Sequence, residues 1–332
     1  MSSTVLVTGA GRFVGGRLAA RLAADSSIDR VVAIDSVPPG PELSRRLGRA
    51  EFVPVDLRSP LIAKVISDAK VDTVVHASLS AHPRSVGGRG AMQELNVIGT
   101  MQLLAACQRS TTVARLVVKS TAAVYGLSSH DQAVFSERDE PNGIPPSGYA
   151  KDAVEVEGYI RGFARRRADV DVTVLRFTNV IGPRIDSALS RYFSLPMVPT
   201  VLGYDGRLQL LHEQDALAVL ERATRARLPG VVNVGGEGVL LVSQAIRRVG
   251  AIAVPVPGPA VGAAARLLRG AQLVGYSPEQ IKLLSFGRVV DTTRLRTEFG
   301  FIPRWTTAQA FDDYVHGRRL RHCLLRLAAR LR

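Results

Sequence analysis

The segment Thr8-Gly9-Ala10-Gly11-Arg12-Phe13-Val14-Gly15 sets three glycines between a short apolar run and the start of a helical pattern. Glycines there let the backbone turn sharply, and the helix behind them offers free N–H groups and partial positive charge to a pyrophosphate. Gly15 permits close helix–strand packing. Gly9, Gly11, Arg12, Phe13, Val14 and Gly15 are therefore candidate cofactor contacts. The next strand ends on Asp35, an acid placed to hydrogen-bond the adenosine ribose of a dinucleotide. Its charge, with the neutral Ser36 after it, favours NAD over NADP. Further along, Arg191 and Arg207 are candidates to grip a substrate diphosphate, because guanidinium meets phosphate oxygens bidentately. No metal-ligand spacing appears among the six histidines.

These residues need a scaffold, and the first half of the chain supplies one. Val5-Leu6-Val7 reads as a buried strand, followed by a helix from about Phe13 to Ala24. Strand patterns recur at Val31 to Asp35, Phe52 to Asp56, Val71 to His76 and Leu116 to Val118. A helix carrying Leu95, Ile98, Leu103 and Leu104 precedes the last of them. Strands apolar on both faces and separated by helices predict a parallel sheet covered on both sides. The order βαβαβ is a nucleotide-binding arrangement, with ligands outside the carboxyl ends of the strands. A helix over 149–167 and a strand from Val172 to Arg176 continue the pattern. After Gly182-Pro183 the elements shorten, and Ala253 to Pro259 is too rich in proline for a helix interior. The expected organisation is a Rossmann-type α/β domain over 1–182, with room for later segments to return to it, a smaller and mainly substrate-binding lobe over 183–315, and a basic tail over 316–332.

Composition narrows the class. The chain has 332 residues, 46% hydrophobic and 22% charged, which argues against a disordered or fibrous protein. Two cysteines, Cys107 and Cys323, are too few for a disulfide framework or a cysteine zinc site. A strand starting at Thr4 leaves no room for a signal peptide, and no apolar run approaches the ~20 residues of a membrane span. A soluble, cytoplasmic protein is expected. The net charge is +14, yet six arginines and no acid fall in the last 17 residues, and the remaining excess is dispersed. That distribution gives little support to a nucleic-acid groove.

Several further motifs carry a resemblance. Asp56-Leu57, His76-Ala77-Ser78, Asn96-Val97-Ile98-Gly99-Thr100, Ser120 to Gly126, Leu175 to Arg184, His212 to Ala216 and Asn233-Val234-Gly235 join the glycine turn and Asp35. Together they resemble the extended short-chain dehydrogenases/reductases, in the NAD-dependent epimerase/dehydratase branch, with likeness to UDP-glucose 4-epimerases. The resemblance implies a bound NAD held also by Asp56, Leu57, His76, Ala77, Asn96 and Lys151. It further implies a nucleotide-sugar substrate, with Asn179 among its contacts, and a homodimer through helices near 95–108 and 150–166. Thr121 takes the position of the hydroxyl that polarises the substrate oxygen, and Lys151 that of the lysine on the nicotinamide ribose.

The family's acid/base tyrosine stands four residues before that lysine, and here Ser147 occupies the place. Tyr149 is two residues from Lys151, about 200° around a helix. A phenol of pKa ~10 needs a nearby cation to act at neutral pH. Three readings stand: Tyr149 reaches the site because Pro145, Pro146 and Gly148 make the preceding chain irregular; Tyr125 or a bound water substitutes; or the protein binds NAD without the redox step. Arg12 is a second departure, replacing the middle glycine of the family's Gly-x-x-Gly-x-x-Gly spacing. Last, Leu320, Leu324, Leu327 and Leu331 make an apolar stripe flanked by arginines over 318–332. Such a helix is suited to an anionic membrane surface, to another subunit or to its own protein.

Overall fold

The computed structural model describes residues 3–81, 87–128, 130–140, 148–258 and 278–330. Strands β1 (Thr4–Thr8), β2 (Arg30–Asp35), β3 (Glu51–Pro54), β4 (Thr73–His76), β5 (Arg115–Thr121) and β6 (Asp171–Phe177) form one sheet with the strand Gly230–Val234. The strand order is Gly230–Val234, β6, β5, β4, β1, β2, β3. Pairing is parallel between β3 and β2, β2 and β1, β1 and β4, and β4 and β5. Chain order reverses between β1 and β4, which makes that junction the switch point where a ligand crevice opens. All five residues of β1 and all four of β4 are buried, as a doubly covered sheet requires. Pro54 is tolerated because β3 is the edge strand, where a missing N–H leaves no gap in the ladder.

Helices α1 (Phe13–Ala24), α2 (Pro41–Arg46), α3 (Leu61–Asp68), α4 (Arg89–Arg109) and α5 (Gly148–Arg166) connect these strands. In α1, Gly15, Leu18, Ala19 and Leu22 recur at helical spacing and are the buried face. Ile62 and Ile66 do the same for α3. Leu103, Leu104 and Cys107 of α4 join Val156, Ile160 and Phe163 of α5 in one apolar cluster with Val74, Leu116 and Val118 of the sheet. Burial raises the Cys107 thiol to about 12, so it is an inert part of that core.

The chain divides into two compact units. The first comprises Met1–Val124, Glu140–Arg176 and Ala216–Val232; the second comprises Tyr125–Asp139, Phe177–Asp215 and Asn233–Arg332. Within the second unit the strands are short. Asn179–Ile181 pairs with Leu210–His212, Arg207–Leu208 lies between Leu240–Leu241 and Gly287–Arg288, and Met197–Val201 pairs with Ile252–Val256. Its core gathers Tyr192, Phe193, Leu208, Leu210, Phe311 and Tyr314. Val261 to Val274 lies outside the described residues.

One helix runs from Thr307 to Arg330, and Arg318 donates to the carbonyls of Phe193 and Ser194 at 2.7 and 2.8 Å. The first arginine of the expected tail therefore docks on its own unit. No helix among the described residues is long and apolar enough to cross a membrane.

Candidate active site

The glycine turn is built as the sequence implies. Gly9 has φ +76°, and a Cβ there would lie 2.9 Å from the Ser78 Cα. A Cβ on Gly11 would meet the Val37 carbonyl at 2.3 Å, and one on Gly15 the Gly9 carbonyl at the same distance. Both contacts are with backbone, which has little room to yield. Arg12 is the N-cap of α1 but places no side-chain bond there, and the first turn, with half-buried Phe13 and Val14, holds no acid. The dipole end of α1 is thus open to an anion. At the end of β2, Asp35 accepts the Gly11 N–H at 3.0 Å, which fixes its carboxylate beside the turn. This cradle, which any Cβ would fill, fits the diphosphate and ribose of a dinucleotide.

The side chain of Arg12 crosses the floor of this region, donating from Nη1 to the Ser78 carbonyl at 2.8 Å, just beyond β4. Burial lowers its proton affinity, opposed by the charges of Asp35 and Tyr149. Asp56 is already engaged by Arg58, whose guanidinium approaches to 2.6 Å and also reaches Glu94. Hydrogen bonds from Arg58 hold Asp56 below the usual carboxylate range. Leu57 is buried in the core.

Two of the residues expected to touch cofactor, His76 and Asn96, are also bonded into the framework. His76 is 1% exposed, with Nδ1 at 3.0 Å from the Thr8 hydroxyl and Nε2 at 2.9 Å from that of Thr100. Desolvation, with the charges of Lys119 and Arg12, depresses it to about 3, so the ring is neutral. Ala77 beside it donates its N–H to the Thr8 hydroxyl at 3.1 Å. Asn96 grips both backbone groups of Ser80 at 2.9 Å and donates to Asp152 at 3.0 Å. Asp152 is fully buried and takes both arms of Arg89 at 2.6 Å. Arg89 also donates to the Gly148 carbonyl at 2.8 Å, so this network pins the start of α5. A second buried pair, Arg176 to Glu157 at 2.6 Å, ties α5 to β6, and Glu157 also accepts the Ser120 hydroxyl of β5.

That scaffolding brings Tyr149 to Thr121. Helix α5 begins at Gly148, whose φ of +88° turns the chain into the helix, and Tyr149 stands in its first turn. The Tyr149 and Thr121 hydroxyls share a hydrogen bond. Desolvation pushes the Tyr149 phenol up to about 12; Thr121 and the Arg12 charge oppose the rise. Thr121 also accepts the Ala123 N–H at 3.1 Å. Lys151 is half-buried, on another side of α5 from Tyr149. Pro145, Pro146 and Ser147 lie outside the described residues.

Tyr125 does not substitute for the missing tyrosine. It is 0% exposed, donates to Asn233 at 2.7 Å and stacks on Phe135 at 4.9 Å. In the second unit, Arg191 is paired with Asp186 at 2.5 Å, and that carboxylate raises its proton affinity. Arg207 and Asn179 are half-buried strand residues. His212 is committed internally as well, bonded to Asp313 at 3.0 Å and stacked on Trp305 at 4.2 Å. No cluster of metal-ligating side chains occurs among the described residues.

Lys119 lies in β5 beside the buried Val117 and Val118, where desolvation and the Arg12 charge lower it to about 8.

Residues 5–235 match the profile of the NAD dependent epimerase/dehydratase family. The chain belongs to this family, with its Rossmann-type fold, and its cofactor is NAD. It is 53% identical over 316 residues to an uncharacterized protein of Mycobacterium tuberculosis, covering 95% of this chain and 84% of the relative. It is similar in fold to a UDP-glucose 4-epimerase of Thermotoga maritima, at a TM-score of 0.71 and 20% identity over 95% of this chain and 98% of that one. A UDP-glucuronic acid 4-epimerase of Bacillus cereus gives 0.72 at 20% identity, covering 96% and 99%.

Proposed function

We propose that this protein is an NAD-dependent epimerase or dehydratase of a nucleotide sugar. The observation that carries the reading is the Tyr149–Thr121 hydrogen bond, which brings together two hydroxyls of the family's reacting group despite the displaced tyrosine. The cradle of Gly9, Gly11 and Gly15, the N-terminus of α1 and Asp35 would hold the cofactor. When bound, NAD takes up and returns the electrons of a sugar C–O centre. Thr121 orients and polarises the substrate oxygen. Tyr149 keeps its proton at neutral pH and acts there as a hydrogen-bond donor. Lys151 and the half-buried Asn179 and Arg207 are assigned to ribose and substrate on family likeness. A homodimer through α4 and α5 belongs to this reading, and exposed Ile98, Met101 and Tyr159 on those helices support it.

The test is absorbance at 340 nm and product chromatography with NAD+ and a panel of UDP-, GDP- and dTDP-sugars. Conversion of one sugar is expected. Thr121→Val and Tyr149→Phe should each lower kcat by about 10²-fold, as removal of one donor at a reacting oxygen does, with NAD affinity unchanged. The Tyr149–Lys151 offset favours a second reading, an NAD-binding protein without turnover. NAD that binds but never changes redox state across the panel would establish it.

A further inference from the structure

Two arginines that reach the interior of the first unit are matched with buried acids: Arg89 with Asp152 and Arg176 with Glu157, each at 2.6 Å. Arg12 is half-buried and has no such match. Its side chain makes one hydrogen bond, from Nη1 to the Ser78 carbonyl at 2.8 Å, and that acceptor is neutral. No carboxylate among the described residues comes within ion-pair distance of it. Asp35, at the end of β2, turns its oxygens to the N–H groups of Gly11 and Val37 at 3.0 and 3.3 Å. A guanidinium drawn partly out of water needs a counter-charge, and the described residues supply none.

Its place in the fold indicates where that charge comes from. The Arg12 N–H donates to the Gly9 carbonyl at 3.1 Å and closes the glycine turn. Gly9 backs directly on Ser78, so a side chain bonded to the same Ser78 folds back across the turn. The first bond inside α1 runs from the Gly16 N–H to the Arg12 carbonyl at 2.9 Å. It leaves the N–H groups of Phe13, Val14 and Gly15 without an intrahelical partner. Arg12 thus bridges the N-terminus of α1 and the end of β4, at the switch point between β1 and β4.

We propose that Arg12 is a side-chain clasp on the diphosphate of NAD: its guanidinium pairs with the phosphate oxygens while Nη1 stays on the Ser78 carbonyl. This rests on the cradle assigned above to NAD, and not on turnover of any sugar. The glycine usual at this place in the family offers backbone alone. A guanidinium carries several N–H donors in a planar fork, of which Ser78 takes one. The others suit phosphate oxygens, and charge-assisted bonds of this kind are roughly twice as strong as neutral ones. Slow release of the cofactor follows, because a close charge pair acts mainly on dissociation.

The test is calorimetric titration of the intact protein with NAD+, ADP-ribose and adenosine. Arg12→Gln can still donate to the Ser78 carbonyl but carries no charge, and Arg12→Gly restores the family's usual residue. Both are expected to bind NAD+ and ADP-ribose about 10- to 100-fold more weakly, the range for a hydrogen bond to a charged group. Release of NAD+ should quicken by a similar factor. Adenosine, which has no phosphate, should bind the variants as it binds the parent protein. Between about 0.05 and 0.5 M NaCl, NAD+ affinity should fall less steeply in Arg12→Gln than in the parent, since one screened cation is gone. Variants that bind NAD+ as tightly as the parent, or more tightly, would overturn the assignment alone. An equal loss for adenosine would do so too, because it would mark a collapsed turn. A parent protein that binds neither NAD+ nor ADP-ribose overturns the cradle and the assignment together.

Discussion

Glu157→Leu is expected to be the most destabilising single change in the first unit. Its carboxylate is 4% exposed, accepts from Nε and Nη2 of Arg176, and takes the Ser120 hydroxyl as well. Removing it leaves the Arg176 guanidinium in the core without its counter-charge, and such a half-pair costs about 3–5 kcal/mol. For a chain of this size the midpoint of thermal unfolding should fall by roughly 4–7 °C. The double variant Glu157→Leu with Arg176→Met should regain most of the loss, because two apolar groups need no compensation. An unchanged midpoint in the single variant would show that the pair contributes nothing. Through Ser120, Glu157 also joins α5 to β5, so the single variant should loosen the Tyr149–Thr121 contact even at temperatures where it stays folded.

Gly15→Ala should abolish useful NAD affinity. The new Cβ would stand 2.3 Å from the Gly9 carbonyl and 2.8 Å from that of Thr8, so α1 must lift away from β1. Overpacking of this kind costs about 1–3 kcal/mol of stability. The larger effect falls on binding, because the helix N-terminus and the glycine turn would no longer point at one diphosphate. A loss of about 10²-fold or more in calorimetric NAD titration is expected, about 2.7 kcal/mol of binding free energy. Gly40→Ala is the matched control, since nothing lies within 4 Å of a Cβ there. Equal affinities for the two variants would remove the turn from the cofactor site.

What the sequence makes legible here is local. The glycine spacing reports a turn because no other residue tolerates the φ of Gly9 or the close approaches at Gly11 and Gly15, and Asp35 reports the end of β2 through its distance from Gly15. The helix over 149–167 appears one residue earlier, at 148–166, for similar reasons. Hidden from the sequence are partners that lie far apart in the chain. Asn96 meets Ser80 and Asp152, and His76 meets Thr8 and Thr100, so both side chains are consumed by framework bonds that no spacing rule encodes. Asp56 is claimed by Arg58, two positions away, and a local ion pair at the end of a strand looks the same in sequence as a free acid. The second unit was hardest to read. Strands of two or three residues, such as Arg207–Leu208 and Asn179–Ile181, are too short to show a period.

The helix Thr307–Arg330 changes allegiance partway along. Phe311, Tyr314 and Val315 are buried in the second unit, while Leu320 is 51% exposed. Nine residues at 3.6 per turn are about two and a half turns, so Leu320 looks half a revolution away from Phe311. Among the described residues, none of that unit's apolar core lies beyond Val315. Between Val315 and Leu320 the helix thus crosses from a buried face to an open one, and Arg318, which grips two carbonyls in between, is its mooring.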